Sequence, residues 1–251
     1  MTETVILKLG GSVITDKSGN CSVDYERLDW IASEIAKRQA DKKIIIIHGA
    51  GSCGHPEAKQ HNLDKGLDAN NISGIFITHE AVSGLNDAVV NALRARGVEA
   101  VAIHPLGSCI ANNGRLISIE CGPIKLLTEH KVVPVLHGDV VMDLSRGACI
   151  VSGDQLVSTL PEMIHVDRIG LATDVAGLLD NGQVVSRINT GSINNLEIRG
   201  SDNTDVTGGM KGKICELLIL AENGVESNIF HVSRIGDFLD GRDHGGTVVT
   251  K

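Results

Sequence analysis

The chain has 251 residues, enough for one large α/β domain or two merged lobes, and a formal net charge of −8. That acidity, with one Trp, one Tyr and three Phe, argues against a nucleic-acid binder or a membrane-surface protein, because a basic footprint and stacking residues are both missing. Hydrophobic residues make up 42% and aromatics 2%, so the core must come from Ile, Val, Leu and Ala, as in a parallel sheet covered by helices.

Apolar runs taken in chain order predict the strands. Residues 5–7 lead into Gly10-Gly11-Ser12, and residues 44–47 lead into His48-Gly49-Ala50-Gly51. Residues 100–103 end at His104-Pro105, residues 132–136 at His137-Gly138-Asp139, and residues 168–172 at Thr173-Asp174, with a last run at 227–232. Continuous aliphatic runs bounded by turn residues are the mark of buried parallel strands. Helical spacing of apolar positions lies between them, over residues 24–40, 78–96, 123–130, 154–163 and 212–223. Residues 182–188 suggest an added hairpin. The alternation predicts a three-layer αβα sandwich with a mostly parallel central sheet. We expect a single domain over residues 1–251, its two lobes meeting near residues 150–165.

Six cysteines (Cys21, Cys53, Cys109, Cys121, Cys149 and Cys215) form no CxxC pair and match no zinc spacing, so reduced thiols are expected. The first residues pass straight into a strand with no basic stretch before it, and no apolar run is long enough for a bilayer. The expectation is a cytoplasmic protein without membrane or nucleic-acid partners.

Two glycine junctions carry the candidate chemistry. In the first, Lys8 lies in a strand that ends in Gly10-Gly11, where successive N–H groups can cradle an anion. A lysine buried there needs a negative partner, and both a carboxylate such as Asp16 and a transferred phosphoryl group fit. In the second, Gly49-Ala50-Gly51-Ser52-Cys53-Gly54 matches GxGxxG with Asp68 beyond it, superficially a dinucleotide fingerprint. It falls on the second strand, however, and continues into His55-Pro56, which places His55 at the start of a helix. From there the imidazole can donate to a bound phosphate, or simply cap the helix. Further along, Gly138-Asp139, Ser152-Gly153-Asp154 and Thr173-Asp174 follow strands, the usual ligand end of open α/β sheets. Residues 205–213, with Gly208, Gly209, Lys211 and Lys213 ahead of a helix, suit nucleotide phosphates.

With these motifs together, the chain resembles the amino-acid-kinase superfamily and, within it, the isopentenyl phosphate kinases. The resemblance runs over essentially the whole length: ILKLGGSVITDK, HGAGSCGHPEAKQHNL, HGD, SGD, TDVAGL, DVTGGMKGK and GGTVV. Histidine at the end of GSCGH is the sharper mark, shared in this superfamily by isopentenyl phosphate kinases and the related fosfomycin kinases. The resemblance implies an amino-acid-kinase-like fold, with an acceptor lobe at about 1–155 and a nucleotide lobe at about 156–251. It also implies transfer of the ATP γ-phosphoryl to isopentenyl phosphate, with fosfomycin as the alternative acceptor, and a homodimer.

Carried over by position, His55 would hydrogen-bond the acceptor phosphate and Lys8 would bridge the reacting phosphates. Lys17 and Lys213 would contact the ATP phosphates. Gly10, Gly11, Ala50, Gly51 and Gly54 would bring backbone close to the acceptor, with Gly153 and Asp154 organising that side. Thr173, Asp174, Gly177, Gly208 and Gly209 would serve the nucleotide. Mg2+ would come with ATP, since no carboxylate cage is evident. Cys53 departs from the phenylalanine usual in that motif, and Lys211 competes for the role of Lys213. An apolar pocket for the acceptor's tail is expected along residues 72–82.

Overall fold

Residues 5–7 form the middle of β1 (Glu3–Leu9), whose last five residues are all buried. This computed structural model describes residues 2–16, 21–189, 191 and 209–251. After β1 come one helical turn α1 (Gly11–Ile14), α2 (Tyr25–Ala36), β2 (Lys42–His48), α3 (His55–Gln60), α4 (Ser73–Ala95) and β3 (Ala100–Ala102). Next are α5 (Pro105–Ser108), β4 (Cys109–Asn112), β5 (Arg115–Ile119), α6 (Cys121–Glu129), β6 (Val133–His137), β7 (Asp139–Asp143) and β8 (Gly147–Val151). Then follow α7 (Gly153–Thr159), β9 (Arg168–Thr173), the small ladder of β10 (Leu179–Asp180) and β11 (Gln183–Val184), and β12 (Arg187–Asn189). The chain closes with α8 (Gly209–Glu222), β13 (Ser227–His231), α9 (Ile235–Leu239) and β14 (Thr247–Thr250).

Among the described residues, eight strands form the central sheet in the order β12-β14-β13-β9-β1-β2-β6-β3. Every pairing in it is parallel except β13 with β14. β1 pairs with β2 on one side and β9 on the other, so the sheet is continuous across the lobe boundary expected near residue 155.

Strand alternation divides β1 between two cores. Val5, Leu7 and Leu9 pack on one face with Leu28, Ile31 and Ile35 of α2 and Leu85 and Val89 of α4. Ile6 packs on the other with Ile124 of α6, Leu156 of α7 and Leu217 of α8. Each such aliphatic side chain contributes roughly 1.5–3 kcal/mol when fully buried. The same alternation puts Lys8 on the face of Ile6, toward α7 and α8.

Helix ends differ from the sequence expectation by a few residues. α2 opens at an Asp24 cap, whose side chain accepts from Arg27 N at 2.9 Å, an interaction of about 1 kcal/mol. α4 begins at Ser73, five residues earlier than expected, because Gly74 and Thr78 continue the buried face of Val82, Leu85 and Val89. A second sheet, β5-β4-β7-β8, was not expected from the apolar runs. Its β4 alternates buried and exposed residues over four positions, too short to stand out from a loop. Among the described residues, no helix is long and apolar enough to cross a membrane.

Candidate active site

The carboxyl ends of β9, β1, β2 and β6 lie side by side, and the loops that leave them stay hydrogen-bonded in register. Gly10 N donates to Ala172 O at 2.9 Å, Gly49 N to Leu9 O at 3.1 Å, and Gly138 N to His48 O at 2.9 Å. The two glycine junctions therefore meet backbone to backbone. A Cβ on Gly11 would sit 2.3 Å from Gly51 N, and Gly51 itself has φ +58° with Thr15 Oγ1 2.4 Å from its own Cβ position. Only glycine meets both demands, so the role of these two residues is loop-to-loop contact as well as access for a ligand.

A cleft opens beside this junction. Ala50, Gly54 and His55 line it from the loop after β2, Gly153 and Asp154 from the start of α7, and Lys8 and Lys213 from β1 and α8. Gly10, Gly11 and Gly51 are absent from its lining. His55 is the first residue of α3, followed by Pro56, as the sequence suggested.

The centre of the cleft is one carboxylate between two ammonium groups. Lys8 Nζ donates to Asp154 Oδ1 at 2.9 Å, and Lys213 Nζ lies 3.3 and 3.2 Å from Asp154 Oδ1 and Oδ2. The anionic partner that a buried Lys8 required is thus Asp154, whereas Asp16 is exposed. Lys8 is 4% exposed, and burial pushes its ammonium down to about 8 despite the opposing pull of Asp154. Burial would raise the Asp154 carboxyl, but Lys213 and Lys8 outweigh it and hold the group well below the usual carboxylate range. Asp154 is placed by α7, which Ser152 caps by accepting from Gln155 N at 3.2 Å. Gly153 allows that helix to abut β2, because a Cβ there would lie 3.0 Å from His48 O.

Sequence reasoning missed a histidine cluster that adjoins the cleft through Asp139. Asp139, which lines it, accepts from His79 Nδ1 at 2.9 Å and from Val140 N at 2.8 Å. His104 Nδ1 lies 3.0 Å from His137 Nε2, and the His137 ring stacks on His48 at 5.6 Å. Burial, reinforced by the neighbouring imidazoles, pushes His137 down to about 2, so it is neutral. The hydrogen bond to Asp139 raises His79. The available signal was helical spacing, since His79 shares a stripe of α4 with Val82, Ser83 and Asn86. Of the expected tail-pocket wall, Thr78 and Val82 line the cleft, while Ile72 and Phe76 are 59% and 65% exposed and absent from the lining.

Of the residues expected at the nucleotide end, Lys8 and Lys213 line the cleft, whereas Thr173, Asp174, Gly177 and Gly209 are absent from its lining. Thr173 ends β9 with its hydroxyl donating to Val175 O at 2.8 Å, and a Cβ on Gly177 would meet Thr247 Oγ1 at 2.7 Å. Asp174, directly after Thr173, is exposed, and Gly209 opens α8. Lys17 and Gly208 lie outside the described residues. Among the described residues, no group of three or more His, Cys, Asp or Glu is arranged to hold a metal ion. The expectation of six reduced thiols is corrected for two of them, because Cys21 and Cys53 form a disulfide with Cα atoms 4.3 Å apart. The fold brings them together across 32 positions of sequence, a proximity that spacing alone does not reveal.

Comparison with known proteins places the chain in a family. Residues 3–231 match the Amino acid kinase family. An isopentenyl phosphate kinase of Haloferax volcanii is 37% identical over 246 residues, covering 98% of each chain. One from Methanothermobacter thermautotrophicus is 38% identical over 265 residues, again covering 98% of each. A solved isopentenyl phosphate kinase structure superposes with a TM-score of 0.86 at 33% identity, covering 98% of this chain and all of that one. The chain belongs to the amino acid kinase family, in the branch formed by the isopentenyl phosphate kinases.

Proposed function

We propose that the protein transfers the γ-phosphoryl group of ATP to isopentenyl phosphate, giving isopentenyl diphosphate and ADP, as a step of mevalonate-type isoprenoid biosynthesis. The observation that carries this reading is the Lys8–Asp154–Lys213 arrangement in one cleft with His55. It supplies two cations held in fixed positions and a hydrogen-bonding group beside them, which is what joining two anionic phosphates requires.

In this scheme His55 donates to the acceptor phosphate, whose oxygen attacks the γ-phosphorus in line as the bond to ADP breaks. The acceptor is already ionised, so neither a general base nor a covalent intermediate is needed. Lys8 bridges the reacting phosphates, and their charge favours the ammonium form that burial disfavours. Lys213 and Lys17 contact the ATP phosphates. Asp154 orients the two lysines rather than touching the acceptor, since two anions in contact would repel. Rate enhancement then comes from alignment and charge neutralisation. Mg2+ would be held by the nucleotide's own phosphates, whose charge it would help to neutralise, since the described residues offer no cluster of metal ligands. Thr173, Asp174, Gly177, Gly208 and Gly209 form the nucleotide end, and the working protein is a cytoplasmic homodimer.

Phosphorus NMR of the protein with Mg-ATP and isopentenyl phosphate tests the reading. We expect the monophosphate signal to be replaced by the paired signals of a diphosphate, one for each ADP formed. ADP release with the monophosphate left intact would reject it.

A further inference from the structure

The Cys21–Cys53 disulfide ties the turn that leads into the cleft at Gly54 and His55 to the arm that pairs beside α1. Cys53 is fully buried and ends the tight turn Gly51–Cys53, which hands the chain to Gly54 and His55. Cys21 is exposed and starts the return arm that comes back beside α1, where Thr15 bridges Val23 and Asp16 N donates to Ser22 O at 2.8 Å. The same two segments touch where Ser52 N donates to Thr15 Oγ1 at 3.2 Å. Among the other cysteines, Cys109, Cys121 and Cys149 are buried and free, and Cys215 is exposed and free.

We propose that Cys21 and Cys53 form a reversible thiol–disulfide site that sets how firmly the loop holds His55 against the acceptor. The proposal rests on the reading of His55 as the acceptor-binding group. A low-molecular-weight disulfide is the oxidant. The Cys21 thiolate, exposed and so open to attack, displaces one thiolate from it to give a mixed disulfide. The Cys53 thiolate then attacks the Cys21 sulfur and displaces the second thiolate. Two protons leave the cysteines, two electrons pass to the small disulfide, and it departs as two thiols. A dithiol reverses the sequence by attacking at exposed Cys21, with Cys53 as the leaving thiolate. Oxidised, the turn before His55 is cross-linked to the arm beside α1. Reduced, it keeps the Thr15 hydrogen bond and the glycine contact but loses its covalent tie. The oxidised form is therefore the pre-organised one and binds acceptor more tightly.

The test uses the full-length protein equilibrated with oxidised glutathione or with dithiothreitol. Alkylation in denaturant should label four cysteines in the oxidised sample and all six in the reduced one, with a Cys21–Cys53 peptide in the former. Acceptor KM should be about fivefold lower in the oxidised form, with kcat changed less than about twofold. Cys21→Ser should stay at the reduced value under both conditions, while Cys215→Ser should switch as the native protein does. Amide exchange over residues 51–60 reads the loop without turnover and should be slower in the oxidised form. Six labelled cysteines after oxidation, equal KM and equal exchange in the two forms, or a Cys21→Ser variant that still switches would overturn the proposal. Absence of turnover in both forms would reject phosphoryl transfer instead, and amide exchange would then decide the disulfide's effect.

Discussion

Lys8 Nζ donates to Asp154 Oδ1 at 2.9 Å, joining residues 146 positions apart at the carboxyl end of β1 and the first turn of α7. The bond matters because Lys213 shares the same carboxylate, so Asp154 serves two enclosed cations.

Asp154→Asn should therefore be costly beyond the loss of one hydrogen bond. It leaves two ammonium groups, 4% and 13% exposed, without their carboxylate. Removing one partner of a buried ion pair costs about 3–5 kcal/mol, and the partial exposure here puts the expected loss near the lower end. Urea unfolding of the variant checks this, with kcat expected to fall as well. An unchanged unfolding midpoint would show that the carboxylate is dispensable to the fold.

The displaced Lys8 titration gives activity and stability opposite pH trends. Its ammonium is at about 8 in the folded protein against 10.5 for an ordinary lysine. Between those values the unfolded state binds more protons, so the contribution of Lys8 to stability rises with pH. Activity needs the charged form, so kcat/KM should decline above about pH 8. In Lys8→Arg, which stays charged, that alkaline decline should vanish even though the rate is lower. A decline that persists unchanged in Lys8→Arg would assign it to another group.

His55→Ala should lower kcat by about 10²–10³, the usual effect of losing one hydrogen bond made in the transition state. ATP affinity, measured by calorimetry, should change little. His55→Gln keeps a donor and should fall between the two. A native rate in His55→Ala would remove the residue from the proposed mechanism.

Two glycine substitutions should act in opposite directions. Gly11→Ala drives a Cβ to 2.3 Å from Gly51 N, forcing one loop away from the other. A loss of about 1–3 kcal/mol and a raised acceptor KM are expected. Gly84 lies inside α4 with nothing within 4 Å of its Cβ position, so Gly84→Ala should stabilise by about 0.5–1 kcal/mol. Thermal unfolding of the pair checks both signs.

The central strands were legible in the sequence because aliphatic runs such as residues 44–47 need cover on both faces. Lys8 and His55 were legible for a related reason, as each sits where a strand gives way to a turn. Long-range pairing was not. Asp16 was the nearer candidate for Lys8, but alternation along β1 turns the lysine toward α7. His79 was passed over because a histidine in an amphipathic helix reads as surface, and its meaning depends on Asp139, 60 positions away. The second sheet escaped because its strands are only four or five residues long and two of them, β4 and β5, are half exposed.

The acceptor is the point on which everything else depends, and steady-state kcat/KM with Mg-ATP and a panel of isopentenyl phosphate, dimethylallyl phosphate and fosfomycin measures it directly. We expect isopentenyl phosphate to be the preferred acceptor. A clear preference for fosfomycin would contradict the proposed function.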